Sequence, residues 1–319
     1  MLSGRTILSY LENLDVYLGQ FANKQSTYFE HLISLAFSQA LYLPFYTIDN
    51  DDQSVGQRVT WQGSDKGGCL SLSPPGKPDI IAYCYGFYLI VEATQRTGAM
   101  QWTNEFAQAV RHCVDFVKAN NVQPSQVYIL LVTPKLHDDT YNSLRHHPLT
   151  AFKFVPLETD VLDKILNTSI LALTIRHLDL RRFFNRVGEY IKKSSTLREF
   201  RKGCEEGIII WQKEVLKQEK DAFIGIKSYE AMRKAKRAAV SVSEIFGNLL
   251  EDSFVKEYLN VLGETVDVGE IETSLKAQSL CCCAGKTIQT DEALFECVPC
   301  ADFKGRGLRL IEAVENIDR

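Results

Sequence analysis

Twelve consecutive residues, Ile80 to Val91, are β-branched, aromatic or otherwise apolar, with one break at Gly86. A run of this kind split by a glycine predicts two short strands with a tight reversal at Gly86. Pro78-Asp79 stands before the run and Glu92-Ala93-Thr94 after it. Asp79 lies seven residues ahead of the glycine and Glu92 six beyond it. Hairpin pairing therefore brings two carboxylates together at the open end. Adjacent carboxylates repel unless something positive lies between them, and a hard divalent cation such as Mg²⁺, bound by oxygen, suits that place. The competing reading is two solvated strand ends.

The length of 319 residues predicts two domains. Hydrophobic residues make up 45% and charged residues 24%, the balance of an ordinary soluble globular protein. With a net charge of only −4, any nucleic-acid contact requires a local basic surface or a partner that supplies one. No apolar run approaches the roughly eighteen residues of a membrane span, so no membrane role is expected. The N-terminal segment reaches Glu12 and Asp15 too soon for a secretory signal, which makes a cytoplasmic location the default expectation. Cys69, Cys84, Cys113 and Cys204 are scattered and suit reduced, buried thiols.

Residues 6–20 predict a leading helix, and Ser26 to Leu41 a stronger one, with Phe29, Ile33, Ala36, Phe37 and Ala40 at helical spacing. Asp49 to Lys77 is polar and reads as a long loop with one strand around Arg58–Trp61. After the hairpin, Gln95 to Gly98 is a connector and Met100 to Asn120 a helix. Val127–Val132 is a buried strand, Asp138–His146 a helix and Phe152–Pro156 a last strand. This order predicts an α/β domain with a mixed sheet over residues 1–170. Residues 171–319 read as mostly helical, with patterns near 228–239, 243–250, 253–262 and 269–280. A cysteine-bearing hairpin follows, turning around Gln289–Glu292.

Three features converge on the hairpin. Glu30 lies on the apolar stripe of its helix, three residues before Ile33 and seven before Phe37, and so points inward. A buried carboxylate needs a partner or a metal. Thr27-Tyr28-Phe29-Glu30 also matches a capping box, in which Glu30 would bond the backbone instead. Gln101, Glu105, Gln108 and His112 fall on one helical face, either lining a site or facing solvent. The strand Val127–Val132 would hold the hairpin rigid, as close metal geometry requires.

Pro78-Asp79, twelve residues, then Glu92-x-Thr94, after a helix bearing Glu30, resembles the PD-(D/E)XK nuclease superfamily. More narrowly, it resembles the cleavage domains of AlwI-type type IIS restriction and nicking endonucleases. The tail Val91-Glu92-Ala93-Thr94, Gly98, Gln101, Glu105 and Val110-Arg111-His112 carries this likeness, with Thr133 to Thr140 and Phe154 to Leu157. It covers roughly residues 20–170 and implies a restriction-endonuclease-like mixed sheet flanked by helices. By resemblance, Asp79, Glu92 and the Ala93 carbonyl hold Mg²⁺, or Mn²⁺ in its place, with Glu30 contributing directly or through water. Glu105 and His112 become accessory catalytic residues. Thr94 occupies the position of the superfamily lysine and cannot carry its charge. Gln95, Gln101 or a second metal would substitute. The implied reaction is phosphodiester hydrolysis in double-stranded DNA, one strand per active site. A second nuclease or recognition subunit is the expected partner. The alternatives are a nuclease of the same fold in repair or a mobile element, and a non-catalytic DNA-binding or assembly subunit.

In the C-terminal half, Cys281, Cys283, Cys297 and Cys300 read either as a tetrahedral zinc site or as incidental thiols of a hairpin. The helices there resemble a winged-helix DNA- or partner-binding unit, but Glu244 to Glu272 is strongly acidic, which opposes a phosphate-facing role. The basic segment with Arg181, Arg182, Arg186, Lys192, Lys193, Arg198, Arg201 and Lys202 is the better candidate for DNA backbone contact. Its alternative is an amphipathic helix with a charged outer face.

Overall fold

The structure, a computed structural model, describes residues 2–47, 57–66, 69–96, 98, 101–146, 152–172, 177–235, 242–271, 273–274, 294–298 and 307–311. At its centre is the expected hairpin, β5 (Ile80–Cys84) and β6 (Phe87–Ala93), paired antiparallel from Cys84↔Phe87 to Ile80↔Val91. Gly86 makes the reversal with φ +78, a left-handed conformation that glycine adopts without strain. Two crossovers extend the sheet. The first runs from β6 through α4 (Ala107–Asn120) to β7 (Val127–Thr133), and the second through α5 (Asp138–His146) to β8 (Lys153–Glu158). β6, β7 and β8 are parallel. Every residue of β7 is buried, as expected of a strand covered on both faces.

On the other side of the hairpin, β2 (Arg58–Trp61) pairs antiparallel with β5, and β1 (Phe45–Thr47) pairs parallel with β2. The sheet order is β1-β2-β5-β6-β7-β8. Pro156 lies in β8, an edge strand, where a missing N–H is tolerated. Between β2 and β5, the stretch read as loop also forms a small ladder, β3 (Ser64–Lys66) with β4 (Cys69–Ser71).

The strand pleat decides which helix covers which face. Phe116 of α4 meets the rings of Tyr83 and Tyr88 on one face. Phe87 and Tyr128 face the other way, where Tyr128 meets Phe184 of α7 (His177–Lys193). α3 (Gln25–Leu41) packs on β1, β2, β5 and β6. The leading helix is two, α1 (Gly4–Glu12) and α2 (Leu14–Gly19), separated at Asn13.

Two compact units divide the chain: residues 1–170 with 174–211, and residues 171–173 with 212–319. α6 (Thr159–Leu171) and α7 precede α8, a single 39-residue helix over Leu197–Ala235, so the described part of the pattern near 228–239 belongs to a long helix, and residues 236–239 lie outside the described residues. In the second unit, α9 (Val242–Glu251) and α10 (Ser253–Leu262) match the expected helices. Phe223 stacks on Tyr258 there, and Lys220 pairs with Glu264 and Glu270, so part of the acidic segment is neutralised internally. β9 (Leu294–Val298) pairs antiparallel with β10 (Gly307–Ile311), and the turn read around Gln289–Glu292 lies outside the described residues. Cys84, Cys113 and Cys204 are buried; Cys69 is exposed, with Lys24 Nζ 3.3 Å from its sulfur.

Candidate active site

Asp79 immediately precedes β5, and its Oδ2 accepts the Ala93 N–H at 2.8 Å, across the open end of the hairpin. Glu92, next to last in β6, is 3% exposed and lies on the face turned to α4, where its Oε1 is 2.6 Å from His112 Nδ1. Burial raises the pKa of both carboxylates well above the usual range. Glu92 raises Asp79 further, and Glu105 and then Glu30 raise Glu92.

Glu30 is buried in α3, on its inward face. The capping box does not form: the N-cap of α3 is Lys24, without a side-chain cap bond. The indole N–H of Trp61 instead donates to Glu30 Oε2 at 3.5 Å. Burial, followed by repulsion from Asp79, pushes the Glu30 carboxyl up to about 9. Glu105 is also raised by burial, and Arg96 Nε, 3.1 Å away, opposes that rise. Burial and the positive charge of Arg111 lower the His112 pKa.

Glu105 lies in a π-helical stretch, Gln101–Phe106, that leads into α4. Such wide turns often occur at functional sites. Gln101 is fully buried, and its amide is saturated. Nε2 donates to Arg96 O at 3.0 Å, Thr133 Oγ1 at 3.0 Å and Lys135 O at 3.1 Å, while Oε1 accepts the His137 N–H at 3.0 Å. Its side chain is a clamp on backbone rather than a group free to meet substrate. Thr94 is buried; its N–H donates to Val132 O and its hydroxyl accepts the Arg96 N–H at 3.1 Å. Gln108, on the same predicted stripe, is exposed.

Glu30, Asp79, Glu92 and Glu105 thus form one electrostatically linked cluster, with the Ala93 carbonyl on the adjoining backbone. Among the described residues, no three His, Cys, Asp or Glu side chains are grouped closely enough to hold a metal ion as they stand. The donors are nonetheless hard oxygens whose burial and mutual repulsion a positive charge would relieve, so the residues fit a hard divalent cation. His112 Nε2 is buried and has no hydrogen-bond partner among the described residues.

The basic residues read from the sequence lie elsewhere. Arg181, Arg182, Arg186, Lys192 and Lys193 are on α7. Arg182 pairs with Asp179 at 2.8 Å and Lys192 with Glu189 at 3.0 Å. Arg186, Lys192 and Lys193 line an open groove with Arg145 and Lys153. Lys153 begins β8 and Glu158 ends it, so this groove lies at the opposite end of the parallel strands from Glu92. Arg201, read as a phosphate contact, is instead bound to Glu158. Cys281, Cys283 and Cys300 of the zinc reading lie outside the described residues, and Cys297 is in β9.

Sequence reasoning passed over Trp61, Arg96 and Arg111. Arg96 carried a signal as the first cation after Glu92, and Arg111 as the neighbour of His112 in the stretch that carries the family likeness.

No curated protein matches this chain. Among solved structures, it is similar to the small subunit of the heterodimeric restriction endonuclease R.BspD6I, at 15% identity and a TM-score of 0.45, covering 66% of this chain and 99% of that one. The family described as AlwI restriction endonuclease matches residues 4–179. That segment is more than half of the chain and contains the whole carboxylate cluster, and on this ground the protein belongs to the AlwI restriction endonuclease family and is a DNA endonuclease.

Proposed function

We propose that this endonuclease is of the PD-(D/E)XK type and depends on a divalent cation, Mg²⁺ or Mn²⁺, held by Asp79, Glu92 and the Ala93 carbonyl with Glu30. The observation that carries this is geometric: Asp79 bonds the Ala93 N–H across the open end of the hairpin beside the buried Glu92, with the buried Glu30 close enough to interact with both, and burial followed by repulsion raises all three carboxyls. A cation bound there would supply Lewis-acid stabilisation of the negative charge on the phosphoryl oxygens and a more acidic water. The protein's own part is positional. The Ala93 N–H fixes Asp79, and His112 fixes Glu92. Arg96, half-exposed beside Glu105, is the cation placed to meet a phosphate oxygen. The groove along α7 contacts the DNA backbone away from the scissile bond.

One such cluster lies among the described residues, so we assign each chain cleavage of one strand, with a second nuclease or recognition subunit needed to cut both in type IIS fashion. Supercoiled plasmid incubated with the protein and Mg²⁺, Mn²⁺ or EDTA tests the reading. Nicked circles with either metal and none with EDTA support it. Cleavage that persists in EDTA overturns metal dependence.

A further inference from the structure

At the end of the sheet that bears Glu92, three connecting segments meet the end of an edge strand. The connector 94–96 leaves β6, the turn 134–137 leaves β7, the π-helical stretch begins at Gln101, and β8 ends at Glu158. Polar side chains join them. Arg201 of α8 binds Glu158 with a fork: Nε lies 3.0 Å from both carboxylate oxygens and Nη2 2.7 Å from Oε1. Nη2 also donates to Leu136 O at 2.7 Å, and Glu158 Oε1 accepts the Leu136 N–H at 2.6 Å. Leu136 is therefore held at both backbone groups by one ion pair. The flanking Lys135 carbonyl and His137 N–H are the groups that grip Gln101. Gln101 holds the Arg96 carbonyl, and the Arg96 side chain holds Glu105, four residues along from Gln101.

We propose that Arg201 is a positioning residue for the nuclease site, acting through Glu158, the 135–137 turn and Gln101 on Arg96 and Glu105. The proposal rests on the nuclease reading of the carboxylate cluster. Arg201 lies beyond the family match, which ends at residue 179, so the site is completed by a residue outside the matched segment. The planar guanidinium suits this task because it meets both a carboxylate and a carbonyl at fixed angles; an ammonium group is a point donor without that fork.

The test uses the full chain with Mg²⁺ and plasmid DNA, comparing Arg201→Ala, Arg201→Lys and Glu158→Gln. Three readouts are taken: kcat against KM, amide exchange at Leu136 and His137, and the thermal melt. For Arg201→Ala, kcat falls about 10–100-fold with KM for DNA unchanged, the scale set by small misplacements of reacting groups. Exchange at Leu136 and His137 accelerates while the melt stays cooperative. Arg201→Lys remains closer to the alanine variant than to wild type. Should Arg201→Ala fail to fold, Glu158→Gln, which keeps an acceptor for Leu136, gives the same readouts. A folded Arg201→Ala protein with wild-type kcat overturns the proposal, as does a rise in KM alone, which marks a DNA contact. Unchanged amide exchange also overturns it, even if the wild-type chain proves inert with Mg²⁺ and Mn²⁺; that inertness would count against the nuclease reading instead.

Discussion

Glu92 Oε1 and His112 Nδ1 stand 2.6 Å apart, with both side chains 3% exposed. A short bond in so dry a place fixes the rotamer of the carboxylate more firmly than a solvated pair would. It also leaves Glu92 without a hydrogen-bond partner there when the imidazole is removed. His112→Ala is expected to lower kcat by about 10–100-fold, the usual scale for removing the partner of a metal-holding side chain. Measuring kcat across a Mg²⁺ titration checks this. A wild-type rate at every Mg²⁺ concentration would show that His112 only fills space.

Asp79→Ala and Glu92→Ala remove the centre of the cluster rather than its support. Both are expected to abolish cleavage while DNA binding survives, because the groove along α7 lies at the other end of the sheet. Plasmid nicking beside a gel-shift titration separates the two effects. Mg²⁺-dependent nicking by either variant at the wild-type rate would defeat the assignment.

Glu30 has its carboxyl pushed from an ordinary 4.5 to about 9. Between those values the folded protein retains a proton that the unfolded chain has released. Stability therefore falls as pH rises through this window, and it is fully present only below the unfolded value. Asp79 and Glu92 act in the same direction. The metal-free protein should melt at a lower temperature at pH 8.5 than at pH 5.5 (roughly the two sides of this window). Glu30→Gln should flatten the dependence, and Mg²⁺ should raise the melting temperature most at the alkaline end. Melting curves at several pH values decide it. A melting temperature that climbs with pH in metal-free buffer would contradict the sign.

Lys192 and Lys193 are exposed at the end of α7, Lys192 beside Glu189 as Arg182 is beside Asp179. The double variant Lys192→Ala, Lys193→Ala should weaken DNA binding and flatten its salt dependence by about two phosphate contacts. Its kcat should stay unchanged. Anisotropy titrations over a salt series provide the measurement, and an unaltered slope would remove α7 from the DNA surface.

The hairpin was legible because its signals are local: an apolar run, one glycine, and an acid at each end. Asp79 and Glu92 are only thirteen residues apart, and strand pairing alone brings them together. Glu30 was legible only as an alternative. What decided it was Trp61, thirty-one residues away in sequence, whose indole takes the carboxylate that a capping box would have used. Gln101 shows the opposite limit. Its helical spacing with His112 is real, but the Lys135 and His137 backbone that saturates its amide arrives from another crossover. Arg201 looked like one cation among many on a basic segment, since nothing local distinguishes a phosphate contact from a fork onto Glu158, forty-three residues distant.

Pro156 sits in β8, at one border of the sheet, and the opposite border, β1, is three residues long. An incoming strand needs a row of free N–H and C=O groups, and among the described residues neither border presents a long one. The sheet is therefore poorly suited to being continued from one molecule into the next. Any second subunit joining this protein on DNA is better recruited through side chains, which can be selective, than through backbone, which is not.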